Sequence, residues 1–144
     1  MQLLFLANLA ATLLMTGVIW IVQVVHYPLF ALVGREGFPA YEAAHSTAIT
    51  LVVMPLMLIE LGTSFLLALA PPAPIDRVTP WIGLALTLLT WGVTFFFSVP
   101  LHNVLSAGFE ASAHASLVQT NWLRTLAWTA HSALLLYWLW RALP

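Results

Sequence analysis

The chain has 144 residues, 62% of them hydrophobic and 6% charged, with a formal net charge of −1 and a mean hydropathy of +0.97. A soluble domain carries about 25% charged residues, so this composition points to an integral membrane protein built around a lipid bilayer. The near-zero charge leaves no basic surface for nucleic acid, and the lack of cysteine excludes disulfides, thiolate nucleophiles and thiolate metal sites.

The first predicted span covers about 3–25. MQLLFLANLAATLLMTGVIW has no basic n-region, and its apolar run outlasts that of a signal peptide, so it is expected to be a retained helix. Asn8, Thr12, Thr16, Gln23 and His26 recur at helical spacing and make one polar stripe. Pro28, just past His26 and Tyr27, is expected to end or kink this helix. A second helix starts at Pro39 and runs to Ala70. At the helical rise it reaches ~48 Å, more than the ~30 Å of a hydrocarbon core. Tyr41, Glu42 and His45 are therefore expected near the interface, with the span itself over 46–70 and a bend at Pro55. Glu60 lies deep in this segment, flanked by apolar sequence. A carboxylate in hydrocarbon costs roughly 2.5–3.5 kcal/mol on insertion scales, so Glu60 must face the protein interior and find a partner.

PPAPIDRVTP reads as a polar turn. The third span, 81–100, carries Thr87, Trp91, Thr94 and Ser98, with His102 beyond an interrupting Pro100. The fourth, 119–141, carries Asn121, Arg124, Thr125 and His131. The expected fold is all-α, a polytopic four-transmembrane-helix bundle with antiparallel neighbours forming one domain over 1–144. Arg35 and Arg124 oppose Arg77 and Arg141, so the positive-inside count is a tie. The acids Glu36, Glu42 and Glu110, gathered opposite the termini, tilt the reading towards cytoplasmic termini.

This connectivity brings His26, His45 and His102 to one depth, joined by Gln23, Tyr41, Asn121 and Arg124. Stripes facing inward from a bundle build cofactor sites. Two imidazoles on opposite helices suit a haem b iron, and three with an open position suit a His-ligated Zn, Cu or non-haem iron. The leading expectation is accordingly a haem- or metal-binding bundle with an electron-transfer or oxidoreductase role. The bland alternative has the same histidines bonded to loop backbone, in a non-catalytic subunit of a larger complex or a homo-oligomer. Arg124 is expected to meet Glu42, Tyr41 or a bound anion. Glu60 and His131 share a depth near the midplane, which makes them a candidate intramembrane pair for a proton or small-solute pathway.

WIVQVVHYPLF (20–30), FPAYEAAH (38–45), VPLH (99–102) and NWLRTLAWT (121–129) resemble a group of small bacterial four-span membrane proteins with no established activity. The resemblance covers nearly the whole chain. It implies that architecture and a bacterial inner-membrane location, and it transfers no catalytic role.

Overall fold

The computed structural model describes residues 2–72 and 75–142. The centre of the Pro-rich turn, Ala73 and Pro74, lies outside the described residues. The protein is all-α, 88% helical, with no strand among the described residues. Four long helical segments follow one another: α1 (Gln2–Leu32), α2 (Phe38–Leu69), α3 (Thr79–Ser106) and α4 (Ala111–Ala142). The first three are long and apolar enough to cross a membrane. The fourth is as long as α2, but its His, Asn, Gln and Arg residues keep its hydropathy lower.

Pro28, expected to end or kink the first helix, and Pro100, expected to interrupt the third, both lie inside a helix. The structure accommodates them with π turns, Val22–His26 before Pro28 and Thr94–Ser98 before Pro100. Tyr27 N–H donates to the Val22 carbonyl, and Val99 N–H to that of Thr94, each five residues back. The widened turn takes up the missing donor and the ring bulk that would otherwise clash with the preceding turn. Pro55 likewise lies within the continuous α2.

The ends are set by local chemistry. A 3₁₀ turn, Phe30–Leu32, closes α1, and Pro39 begins the first turn of α2. Asp76 Oδ1 accepts from the backbone N–H groups of Val78 (2.8 Å) and Thr79 (2.9 Å), which starts α3. Hydrogen bonds from Thr79 hold the Asp76 carboxyl below the usual carboxylate range. Gly108, at φ +153°, reverses the chain after α3. Glu110 Oε2 then accepts from Ala113 N–H at 2.8 Å and opens α4.

Helix contacts run in a ring, α1 to α2, α2 to α3, α3 to α4 and α4 back to α1. Polarity is inverted relative to a soluble protein. Leu14, Leu51, Phe96 and Trp140 stand on the outside. Asn8, Thr12, Gln23, Glu42, Glu60, Asn121, Arg124 and His131 are buried. Such a surface is compatible with lipid rather than water. Between them lies a core of Met15, Ile19, Phe30, Phe38, Met57, Leu117 and Trp128.

Candidate functional site

Two polar clusters occupy the interior. The first gathers at the end of the molecule where α1 meets α2. His26 Nε2 and His45 Nδ1 are 2.8 Å apart, and their ring centroids 4.6 Å. The His102 ring lies 5.5 Å from His45, but its hydrogen bonds go elsewhere. His102 Nδ1 donates to Glu42 Oε1 at 2.5 Å, and its Nε2 is 3.0 Å from the Tyr27 hydroxyl. Glu42 Oε1 also accepts from Ser46 at 3.1 Å. These groups form a chain of carboxylate, imidazole and phenol, Glu42–His102–Tyr27, drawn from α2, α3 and α1.

Glu42 is fully buried within the protein. A roof of aromatic rings lies at the same end of the molecule: Phe30 and Phe38 pack at 5.9 Å, and Phe38 meets Phe109 at 5.1 Å. Tyr41 joins this roof, its ring 5.5 Å from Phe30 and 6.3 Å from His26. His114 Nε2 bonds the Tyr27 carbonyl at 2.8 Å and ties the end of α1 to α4.

Of the partners expected for Arg124, neither Glu42 nor Tyr41 is hydrogen-bonded to it. Its Nη1 donates to Ser98 Oγ at 2.9 Å, and its guanidinium sits 5.4 Å from the centre of the Trp128 ring. Tyr27 lies beside it. Among the described residues no carboxylate is within ion-pair reach of Arg124; Glu42 pairs through Oε1 with His102 instead. Gln23 and Asn121 pair instead with each other, Asn121 Nδ2 donating to Gln23 Oε1 at 2.8 Å. Gln23 Nε2 then donates to the Val118 carbonyl at 3.2 Å. They clamp α1 to α4 rather than join the histidines.

Tyr27, His102 and Arg124 all line a cavity of about 260 Å³ whose other walls are mostly apolar, including Met15, Ile19, Val22, Ile49 and Val53. Thr50, Val99 and Asn103, at its edge on α2 and α3, are exposed. The cavity therefore opens between those two helices.

The second cluster centres on Glu60, also fully buried. Its Oε1 accepts from Thr12 (3.1 Å) and His131 Nδ1 (2.9 Å), and its Oε2 from Trp128 Nε1 (2.8 Å). Asn8 Nδ2 reaches the Glu60 carbonyl, Thr63 and Ser64 from α1. Thr87 backs His131 at 3.4 Å. Gly83 leaves room for the imidazole: a Cβ there would stand 3.0 Å from His131 Nε2.

Several groups escape sequence reasoning. Tyr27 and Trp128 look like packing aromatics: the mid-span position of Trp128 marks it as a core residue, and nothing in the sequence shows that its indole bonds Glu60. Glu42 could have been found from its place on the same helical face as His45, one turn away. For a metal, the donors include neutral imidazoles and a carboxylate, which suit Zn, Cu or Fe. Among the described residues, however, no three His, Cys, Asp or Glu are arranged around a common point for an ion. No protein-family model, curated protein or solved structure matches the chain.

Proposed function

We propose that the protein is a four-span bundle of the bacterial inner membrane, with antiparallel neighbours and cytoplasmic termini. In this reading it binds a small lipophilic molecule in the α2/α3 cavity and removes a proton from it. Opposed numbering across each helix pair supports the antiparallel arrangement: Asn8 with Ser64 and Thr12 with Glu60, Glu42 with His102 and Ser64 with Thr87, Thr87 with His131 and Ser98 with Arg124, Thr16 with Ser132 and Gln23 with Asn121.

The Glu42–His102–Tyr27 chain is the main support for the chemistry. A buried carboxylate that accepts from His102 Nδ1 fixes the tautomer in which Nε2 is the acceptor. Nε2 then accepts from the hydroxyl of Tyr27, a residue that lines the cavity. When a ligand gives its proton to the Tyr27 oxygen, the Tyr27 proton passes to His102 Nε2. The resulting imidazolium stays beside the Glu42 carboxylate, and the ligand anion beside Arg124. The arrangement is that of a general base oriented by an acid.

A lipophilic weak acid whose colour reports ionisation, such as 4-nitrophenol, tests this reading. At a pH below its own ionisation, the wild-type protein in detergent should bind it as the yellow phenolate. Tyr27→Phe should still bind the probe and leave it colourless. Equal ionisation by both proteins would remove the relay.

A second reading, a His-ligated metal or a haem b serving electron transfer, has one observation in its favour. His45 Nε2 and Glu42 Oε2 are buried without a hydrogen-bond partner, one helical turn apart. An ion held between His26 and His45 needs bonds of about 2 Å on each side, so it would have to open their present contact. Stoichiometric Zn, Cu or Fe in the purified protein, lost in His45→Ala, would support this reading. A Soret band would do the same for haem.

A further inference from the structure

We infer that the cavity selects a weak oxygen acid, a small phenol or enol with a compact apolar body, taken from the bilayer and held as its anion by Arg124. This rests on the base-relay reading and supplies the ligand class for it. Three observations bear on the choice.

Arg124 is 6% exposed, and its Nε has no hydrogen-bond partner. A buried guanidinium with only the Ser98 and Tyr27 hydroxyls beside it, and no facing carboxylate, is incompletely satisfied. Its Ser98 bond and its seat against Trp128 hold it at the cavity wall, where it has room to pair with an anion. The Glu42 charge does not fill that need, because two hydrogen bonds through His102 and Tyr27 separate it from Arg124.

The second observation is size and lining. A space of about 260 Å³ walled by Met, Ile and Val side chains accepts a body of ring size and excludes a whole phospholipid. The third is the position of the opening. Thr50 and Val99, at the mouth, lie within helices apolar enough to cross a membrane, and Leu51, Phe95 and Phe96 stand exposed nearby in sequence. A ligand passing there arrives from lipid, which admits a neutral acid far more readily than its anion. The O–H bond breaks only inside the cavity. The ligand proton goes to the Tyr27 oxygen and the Tyr27 proton to His102 Nε2, so the ligand anion and Arg124 form one pair and the imidazolium and Glu42 another.

Equilibrium dialysis in lipid nanodiscs, with 4-nitrophenol and its O-methyl ether 4-nitroanisole as probes, tests the inference separately from the relay. The phenol should bind at least tenfold more tightly than the ether, and Arg124→Gln should remove that preference. Arg124→Lys should keep part of it. Val53→Trp, which fills the cavity from α2 and leaves Arg124, Tyr27, His102 and Glu42 unsubstituted, should abolish binding of both probes; the dichroism spectrum of each variant verifies its fold. Uptake should follow the amount of probe dissolved in the bilayer, and uptake that follows only the aqueous concentration would overturn the lipid route. Equal affinity for phenol and ether, or a preference unchanged in Arg124→Gln, would overturn the ligand class. Arg124-dependent binding without ionisation would instead overturn the relay and leave the recognition of an oxygen acid standing.

Discussion

Replacing Glu60 tests whether the deep cluster holds the fold together through its hydrogen bonds. Its carboxylate accepts from Thr12, His131 and Trp128, all buried. Glu60→Leu strands those donors. The Thr12 hydroxyl can turn to a carbonyl of its own helix, but the Trp128 N–H cannot, and the His131 ring keeps one buried N–H in either tautomer. Each buried donor left unpaired costs ~1–3 kcal/mol, which gives ~2–6 kcal/mol for the pair. Hydrogen bonds inside membrane proteins average only ~0.6 kcal/mol, and leucine removes the cost of burying a carboxylate, so we expect a loss of ~2–4 kcal/mol. Glu60→Gln is different. Its carbonyl oxygen can accept from Trp128, and its NH₂ can donate to His131 Nδ1 once that ring carries its proton on Nε2, so the loss should stay within ~1 kcal/mol. Unfolding of both variants in one detergent, by heat or by SDS titration, measures the difference. A Leu variant as stable as wild type would show that the donors find other partners. A Gln variant as damaged as the Leu variant would show that charge, not hydrogen-bond count, matters at this site.

Three other outcomes follow from the same coordinates. Gly83→Ala places a Cβ 3.0 Å from His131 Nε2; because Glu60 pins that ring, overpacking should outweigh the helix-propensity gain, with a net loss of about 1–2 kcal/mol. Gly62→Ala, with nothing within 4 Å, should stabilise by about 0.5–1 kcal/mol in the same unfolding assay. Asp76 has a folded pKa below its unfolded one, so its contribution is present above the unfolded value, ~3.9, and is lost as pH falls through the folded value. The melting-temperature gap between wild type and Asp76→Ala should therefore be open at pH 6 and close on acidification below about pH 4; a gap independent of pH would sink the assignment.

Much of the interior was legible because a polar residue in so apolar a chain stands out. Asn8, Thr12, Gln23, Glu60, Asn121 and His131 all lie on stripes readable from spacing, and all are buried. Partner choice was less legible, since a stripe fixes the direction a side chain points and not what it meets. Gln23 and Asn121 share a level with the histidines, yet they satisfy each other. Arg124 shares a level with Glu42, but His102 reaches that carboxylate first. The burial of Glu42, only a few residues from the start of α2, was not legible either. Phe30, Phe38 and Phe109 come from three separate stretches of chain to pack together at that end, and no local pattern announces such a cluster.

The prolines show most clearly how a local signal was read correctly and its consequence missed. Pro28 and Pro100 do mark a disturbance in their helices, but the disturbance is placed before each proline as a π turn rather than at it as an end. A π turn inserts one residue into the helical ladder and advances the face of everything after it. Tyr27 and His102 both lie after such a turn, on α1 and α3 respectively. With uninterrupted α-helical spacing, Tyr27 falls off the stripe that His26 continues. With the extra residue in place, it turns inward and meets His102 at 3.0 Å. Without that register shift there would be no phenol at the end of the carboxylate–imidazole chain. The two prolines thus set the geometry of the site although neither side chain takes part in it.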